Sequence, residues 1–159
     1  MNQTSLTTYL PALLIGVVAG LRSMTAPAFV SWASRFGRLH LRGTWLAFLG
    51  YAWTPWILTV LALGELVADQ LPSTPSRTAP IGFGFRIVTG AVSGAAVGTA
   101  GGTMVGGMVA GIAGAVIGTI GGHAFRARLA AAFGHDRPAA FIEDAIALGG
   151  ALAIGMTLR

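Results

Sequence analysis

Between Arg86 and His123 the chain carries no charged residue, and glycine recurs at nearly every fourth position. Gly90, Gly94, Gly98, Gly102 and Gly106 make the first series, and Gly111, Gly114, Gly118 and Gly122 carry it on. In water each glycine would cost a helix about 1 kcal/mol relative to alanine. In lipid the backbone has no water to bond, so the helix persists, and the small residues let helices approach closely. As one helix the stretch would be about 54 Å long, against a hydrocarbon core of about 30 Å. It is therefore expected to fold into a hairpin, turning near Gly101–Gly102 or Gly106–Gly107. The spacing leaves open whether the glycines pack within one subunit or between subunits. So much small apolar surface favours a homo-oligomer.

Composition agrees with a membrane setting. Charged residues make up 9% of the 159 and hydrophobic ones 54%, whereas a soluble domain carries about 25% charged. Residues 1–8 hold no charged side chain, so the first apolar run reads as a retained span rather than a signal peptide. That run, Tyr9 to Ala33, is interrupted by "GLRSMTAP" at 20–27, with Arg22 in mid-run and Pro27 lacking a backbone donor. It reads as a broken span, restarting at Thr25 with Pro27 in the first turn. The alternative is a helix ending near Gly20, with 26–36 lying along the interface. A basic loop follows, with Arg35, Arg38, His40 and Arg42. The second span is expected from Thr44 to Ala68, with Trp45, Tyr51, Trp53 and Trp56 as an interfacial belt and a kink at Pro55. The last span is expected from Ala139 to Leu158.

The expectation is one all-α integral membrane domain over 1–159, a polytopic bundle of about five spans, with four as the alternative. Five spans bring the end of the second and the start of the fifth to one face. Glu65, Asp69, Glu143 and Asp144 then lie at similar depth. Arginines divide five to four between the faces, a bare lean towards a cytoplasmic carboxylate face.

Ionisable groups inside a membrane cost about 2.5–3.5 kcal/mol even on lenient scales, which makes them functional candidates. Glu65 and Asp69 share a helix face at i,i+4. Glu143 and Asp144 are adjacent and point about 100° apart. Two readings are open. The acids serve protons or hard cations along a pathway, or they pair with Arg22, Arg77 or Arg137 and pin helices together. Arg22, beside Ser23 and Thr25, is likewise either an anion contact at a half-helix start or an internal counter-ion.

Other chemistries lack their residues. Cysteine is absent. His123 and His135 have no partner at metal-ligand spacing, so no metal site is expected. "GFGF" at 82–85 has no βαβ context, and no GK[ST] follows a glycine run. No nucleophile–base pair stands at workable spacing, so neither an enzyme nor a cofactor is expected. The net charge of +5 is dispersed, unlike the basic face of a nucleic-acid binder.

The blocks "GLRSMTAP" at 20–27, "ELVADQLPSTPSRTAP" at 65–80, "RIVTGAVSGA" at 86–95 and "DRPAAFIEDAIALGGALAI" at 136–154 resemble a family of small bacterial multi-pass membrane proteins catalogued only as a domain of unknown function. The resemblance covers nearly the whole chain and implies a bacterial inner-membrane location. It puts Arg22, Glu65, Asp69, Pro72, Glu143 and Asp144 on motif positions and implies no activity. Gln70 stands where relatives often carry Lys. The expected function is movement of a small solute or ion past intramembrane carboxylates. The rival is a non-transporting scaffold held by glycine packing and Arg–carboxylate pairs. A wet cavity at the acids would favour the first, closed pairs in a dry core the second.

Overall fold

The computed structural model describes residues 3–68, 79–134 and 136–157. Among them lie six α-helices and one short 3-10 helix, and no strand. The helices are α1 (Gln3–Leu21), α2 (Thr25–Arg35), α3 (Thr54–Ala68), α4 (Pro80–Ala100), α5 (Met104–Phe133) and α6 (Asp136–Thr157), with the 3-10 helix at Trp45–Gly50. Three helical stretches, Pro80–Ala100, Met104–Phe133 and Pro138–Thr157, are long and apolar enough to cross a membrane. They are what an integral membrane protein requires. Tyr9–Leu21 and Thr54–Ala68 are apolar but shorter, so the expected count of five spans is not reproduced by length and apolarity.

The glycine-rich run does fold as a hairpin, and it turns at Gly101–Gly102. Gly102 has φ 71°, a left-handed conformation that only glycine adopts freely. The N–H of Thr103 donates to Gly98 O, and that of Gly102 to Thr99 O, both at 3.0 Å. These two bonds satisfy carbonyls at the end of α4 in the Schellman pattern. Gly102 is thus a turn residue, not one of the expected packing glycines. Above the turn, a Cβ on Gly98 would lie 2.7 Å from Gly107 Cα, and one on Gly94 2.7 Å from Gly111 Cα. The α4 and α5 backbones touch with nothing between them. α1 joins the same seam: Gly16 abuts Gly111, while Gly114 and Gly118 abut Leu13 and Val17. Gly106 instead carries the ring of Tyr9, and Gly122 meets Leu21. The packing described here lies within one chain.

The first span differs from expectation in direction. The break falls at 22–24, as the motif suggested, but the chain reverses there instead of crossing onward. α1 runs antiparallel to α6: Leu10 and Leu21 line a groove that reaches from Thr157 to Ile146, and Val18 faces Gly150. α2 runs the same way as α6, because Arg22 pairs with Asp144 while the Phe29 ring lies on Gly155 and Arg38 Nη1 donates to Gly155 O at 2.8 Å. α1 and α2 therefore form a helical hairpin whose tip lies inside the bundle. α2 has 11 residues, seven of them buried, so it packs within the protein and does not lie along an interface.

The second span is also shorter than expected. Thr44 caps the 3-10 helix by accepting the Leu46 N–H, and α3 begins only at Thr54. Pro55 sits in the first turn of α3, where its missing N–H costs nothing, and does not kink a longer helix. Trp45, Tyr51 and Trp53 are 59%, 62% and 75% exposed, but they belong to this connection and not to a transmembrane helix. α3 packs antiparallel to α2: Trp32 Nε1 donates to Thr59 Oγ1 at 3.0 Å, and the Trp32 ring meets Trp56 edge-on. The end of α3 consequently arrives at the hairpin tip.

Candidate functional site

The tip of the α1–α2 hairpin leaves backbone groups without helical partners, as every helix end does. Thr25 was expected to cap α2, but no side chain of the α2 start caps it. Glu65, near the end of α3, does so from across the bundle. Its Oε1 accepts the Ser23 N–H at 2.8 Å and the Ser23 hydroxyl at 2.7 Å, and its Oε2 accepts the Met24 N–H at 2.8 Å. The carbonyls at the end of α1 are met by a cation. Arg86 Nη1 donates to Gly20 O and Leu21 O, each at 2.8 Å. Thr119 Oγ1 lies 3.3 Å from Gly20 O and also donates to Ala115 O at 2.8 Å. An anion thus faces the start of α2 and a cation the end of α1, the signs that the helix dipoles favour.

Two further charge pairs surround this tip. Arg22, fully buried, forms a close ion pair with Asp144 of α6. Arg126 Nη1 lies 3.7 Å from Glu143 Oε2, with the Glu143 side chain 1% exposed. Arg86 Nη2 lies 3.7 Å from Glu65 Oε1. Among the described residues, three arginines from α1's end, α4 and α5 face three carboxylates from α3 and α6. The formal charges cancel, three against three, as groups in an apolar bundle must arrange to keep their desolvation cost bearable.

Of the sequence-derived candidates, Arg22, Glu65, Glu143 and Asp144 are brought together at one level. The adjacent acids of α6 do diverge: Asp144 turns to Arg22 and Glu143 to Arg126. Arg22 serves as an internal counter-ion. Asp69, Pro72, Arg77 and His135 lie outside the described residues, as does the side chain of Arg137. The arginines that meet Glu65 and Glu143 here are Arg86 and Arg126, two of those counted above on the carboxylate face. Arg86 stands in the second turn of an otherwise apolar helix, and that isolation was the available signal. Thr119 was missed as well, and Ser23, named only as a neighbour of Arg22, donates to Glu65; both hydroxyls become meaningful only once the chain is known to reverse beside them.

Two cavities are open elsewhere. One, of about 380 Å³, is an apolar groove between α1 and α6. The other, of about 500 Å³, lies at the opposite end of α2 among Arg35, His40 and Arg42. Among the described residues no group of three His, Asp, Glu or Cys side chains is placed to hold a metal. Comparison with protein-family models, curated proteins and solved structures finds no match to this chain.

Proposed function

We propose that this is a membrane protein that moves a small solute or ion, with the tip of the α1–α2 hairpin as its working part. The observation that supports this reading is the reversal of the chain at Arg22–Met24 inside the bundle, enclosed by three arginines and three carboxylates. Non-helical backbone at membrane depth is tolerated only where protein or water encloses it, and interrupted helices at such depth are how many transporters hold their cargo. The glycine seam of α1, α4 and α5 already supplies close helix packing. Three buried charges, Arg22, Arg86 and Glu143, with three half-buried partners add a cost of up to about 2.5–3.5 kcal/mol each before pairing, which packing alone has no need to bear. In this reading Glu65 and Asp144 exchange an arginine for a proton or cation, and Arg22 holds the balancing charge.

One observation favours the rival reading, a static scaffold. Glu65, Glu143 and Asp144 all face an arginine already, so the arrangement is closed. Reconstituted vesicles separate the two. Protein-dependent flux of protons, alkali cations or small anions, reduced about tenfold or more by Glu65→Gln and by Asp144→Asn in folded protein, supports transport. No flux above that of empty vesicles, or equal flux in both variants, overturns it and leaves the scaffold.

A further inference from the structure

We propose that the cavity at the far end of α2 binds the phosphate headgroup of an anionic phospholipid. It has a volume of about 500 Å³ and is lined by Ser34, Arg35, Gly37, His40, Arg42 and Tyr51, among others. Its wall is a built loop. Leu39 and Leu41 are each 2% exposed and plug into the core, so the intervening His40 and the following Arg42 face outward. Gly37 and Gly43, at φ 77° and 82°, bracket that stretch with turns that other residues resist. Thr44 Oγ1 donates to Leu41 O at 2.7 Å, and Ser31 Oγ donates to Leu49 O, tying the loop to the 3-10 helix and α2.

Charge sets the ligand class. The described carboxylates Glu65, Glu143 and Asp144 all engage arginines at the other end of α2, a helix length of about 16 Å away. Among the described residues no acid neutralises Arg35 or Arg42. Two guanidiniums, an imidazole and a phenol in one cavity suit a phosphate, which takes several donors at once. Position sets the source. The exposed rings of Trp45, Tyr51, Trp53 and Trp56 surround the same loop, and exposed aromatics of this kind lie at the headgroup level of a bilayer. A free phosphate would need no such collar. With no acid among the described residues that line the cavity, a zwitterionic headgroup brings an ammonium group among cations, so an anionic headgroup is preferred.

The test uses the full-length protein, delipidated in detergent, with lipid adducts counted by native mass spectrometry. Phosphatidylglycerol is expected to bind at least about tenfold more tightly than phosphatidylcholine. The Arg35→Gln/Arg42→Gln variant is expected to lose about 30-fold in phosphatidylglycerol affinity, from about 1 kcal/mol per cation. Both side chains are exposed, so the variant should keep its unfolding midpoint. Arg128→Gln, on an exposed turn of α5, should bind like wild type. Equal retention of phosphatidylglycerol by the double variant overturns the site. Inorganic phosphate binding as tightly as phosphatidylglycerol overturns the lipid assignment.

Discussion

Glu65 and Arg86 stand 3.7 Å apart and close the two ends of one interruption in the chain. Glu65 receives the N–H groups where α2 begins, and Arg86 donates to the carbonyls where α1 ends. Neither residue is near the interruption in sequence; Glu65 is 42 residues beyond Ser23. A chain that reverses inside an apolar bundle exposes backbone that lipid cannot satisfy. Here that backbone is satisfied by two side chains of opposite sign, which in turn neutralise each other.

Removing Glu65 should therefore destabilise the whole protein. Glu65→Ala leaves two amides and a hydroxyl to find other partners in a largely buried site, at about 1–3 kcal/mol per group left unmade. A net loss of about 3 kcal/mol is expected. Glu65→Gln keeps one acceptor oxygen and should lose about half as much. Reversible unfolding in mixed micelles measures both. If alanine and glutamine variants match wild type, the carboxylate does not hold the hairpin tip.

Arg22 and Asp144 should be strongly coupled. Arg22→Met strands a carboxylate beside an apolar groove, and losing one partner of a buried pair costs about 3–5 kcal/mol. Replacing both, as Arg22→Met with Asp144→Leu, removes the stranded charge and should cost less than either single change. Because the double variant costs less than either single one, the double-mutant cycle is expected to return a coupling at least as large as one single change, about 3–5 kcal/mol. Strict additivity would mean that the pair makes no energetic contact.

Not every glycine of the seam should matter equally. A methyl group at Gly111 is driven into the Gly90 carbonyl, while one at Gly121 meets nothing within 4 Å. Gly111→Ala is expected to cost about 1–3 kcal/mol through overpacking. Gly121→Ala should be neutral or stabilise by up to about 1 kcal/mol. Thermal midpoints in detergent rank the two. Equal midpoints for the two variants, or a lower midpoint for Gly121→Ala, would show that α4 and α5 do not touch along this line.

The glycine hairpin could be read from sequence because length decided it: the run was too long for one crossing, and Gly101–Gly102 was one of the two places the spacing offered for the turn. The break at Arg22 was equally readable, since a charge and a proline interrupt an apolar helix. Its direction was not. A helical period is the same whichever way the next segment points, and what selects the reversal is Glu65 and Arg86, both distant in sequence. The stretch from Thr44 to Ala68 misled for a related reason. Hydropathy does not distinguish Trp45–Gly50 in a capped 3-10 turn from the same residues in a span. The acids stood out as candidates because they are expensive in lipid. Arg86 and Arg126 did not, because a cation towards the end of an apolar run, Arg86 near the start of α4 and Arg126 in the last turns of α5, reads as a membrane-face residue until the neighbouring helix ends are known.

The reversal itself can be tested without a high-resolution experiment, because the chain has no cysteine to interfere. The Phe29 ring rests on Gly155 only if α2 folds back along α6. Were α2 to continue across the bundle from Leu21, residue 29 would move towards the end of the molecule where α6 begins, a displacement of about two helix turns or more from Gly155. Phe29→Cys and Gly155→Cys in one chain, treated with a short bifunctional thiol reagent, should therefore cross-link efficiently. Phe29→Cys paired with Phe141→Cys, near the start of α6, should not. The product is an internal loop, read as a shift in gel mobility that persists in reducing buffer and does not depend on protein concentration. Cross-linking of the second pair in preference to the first would require a first span that crosses and does not return.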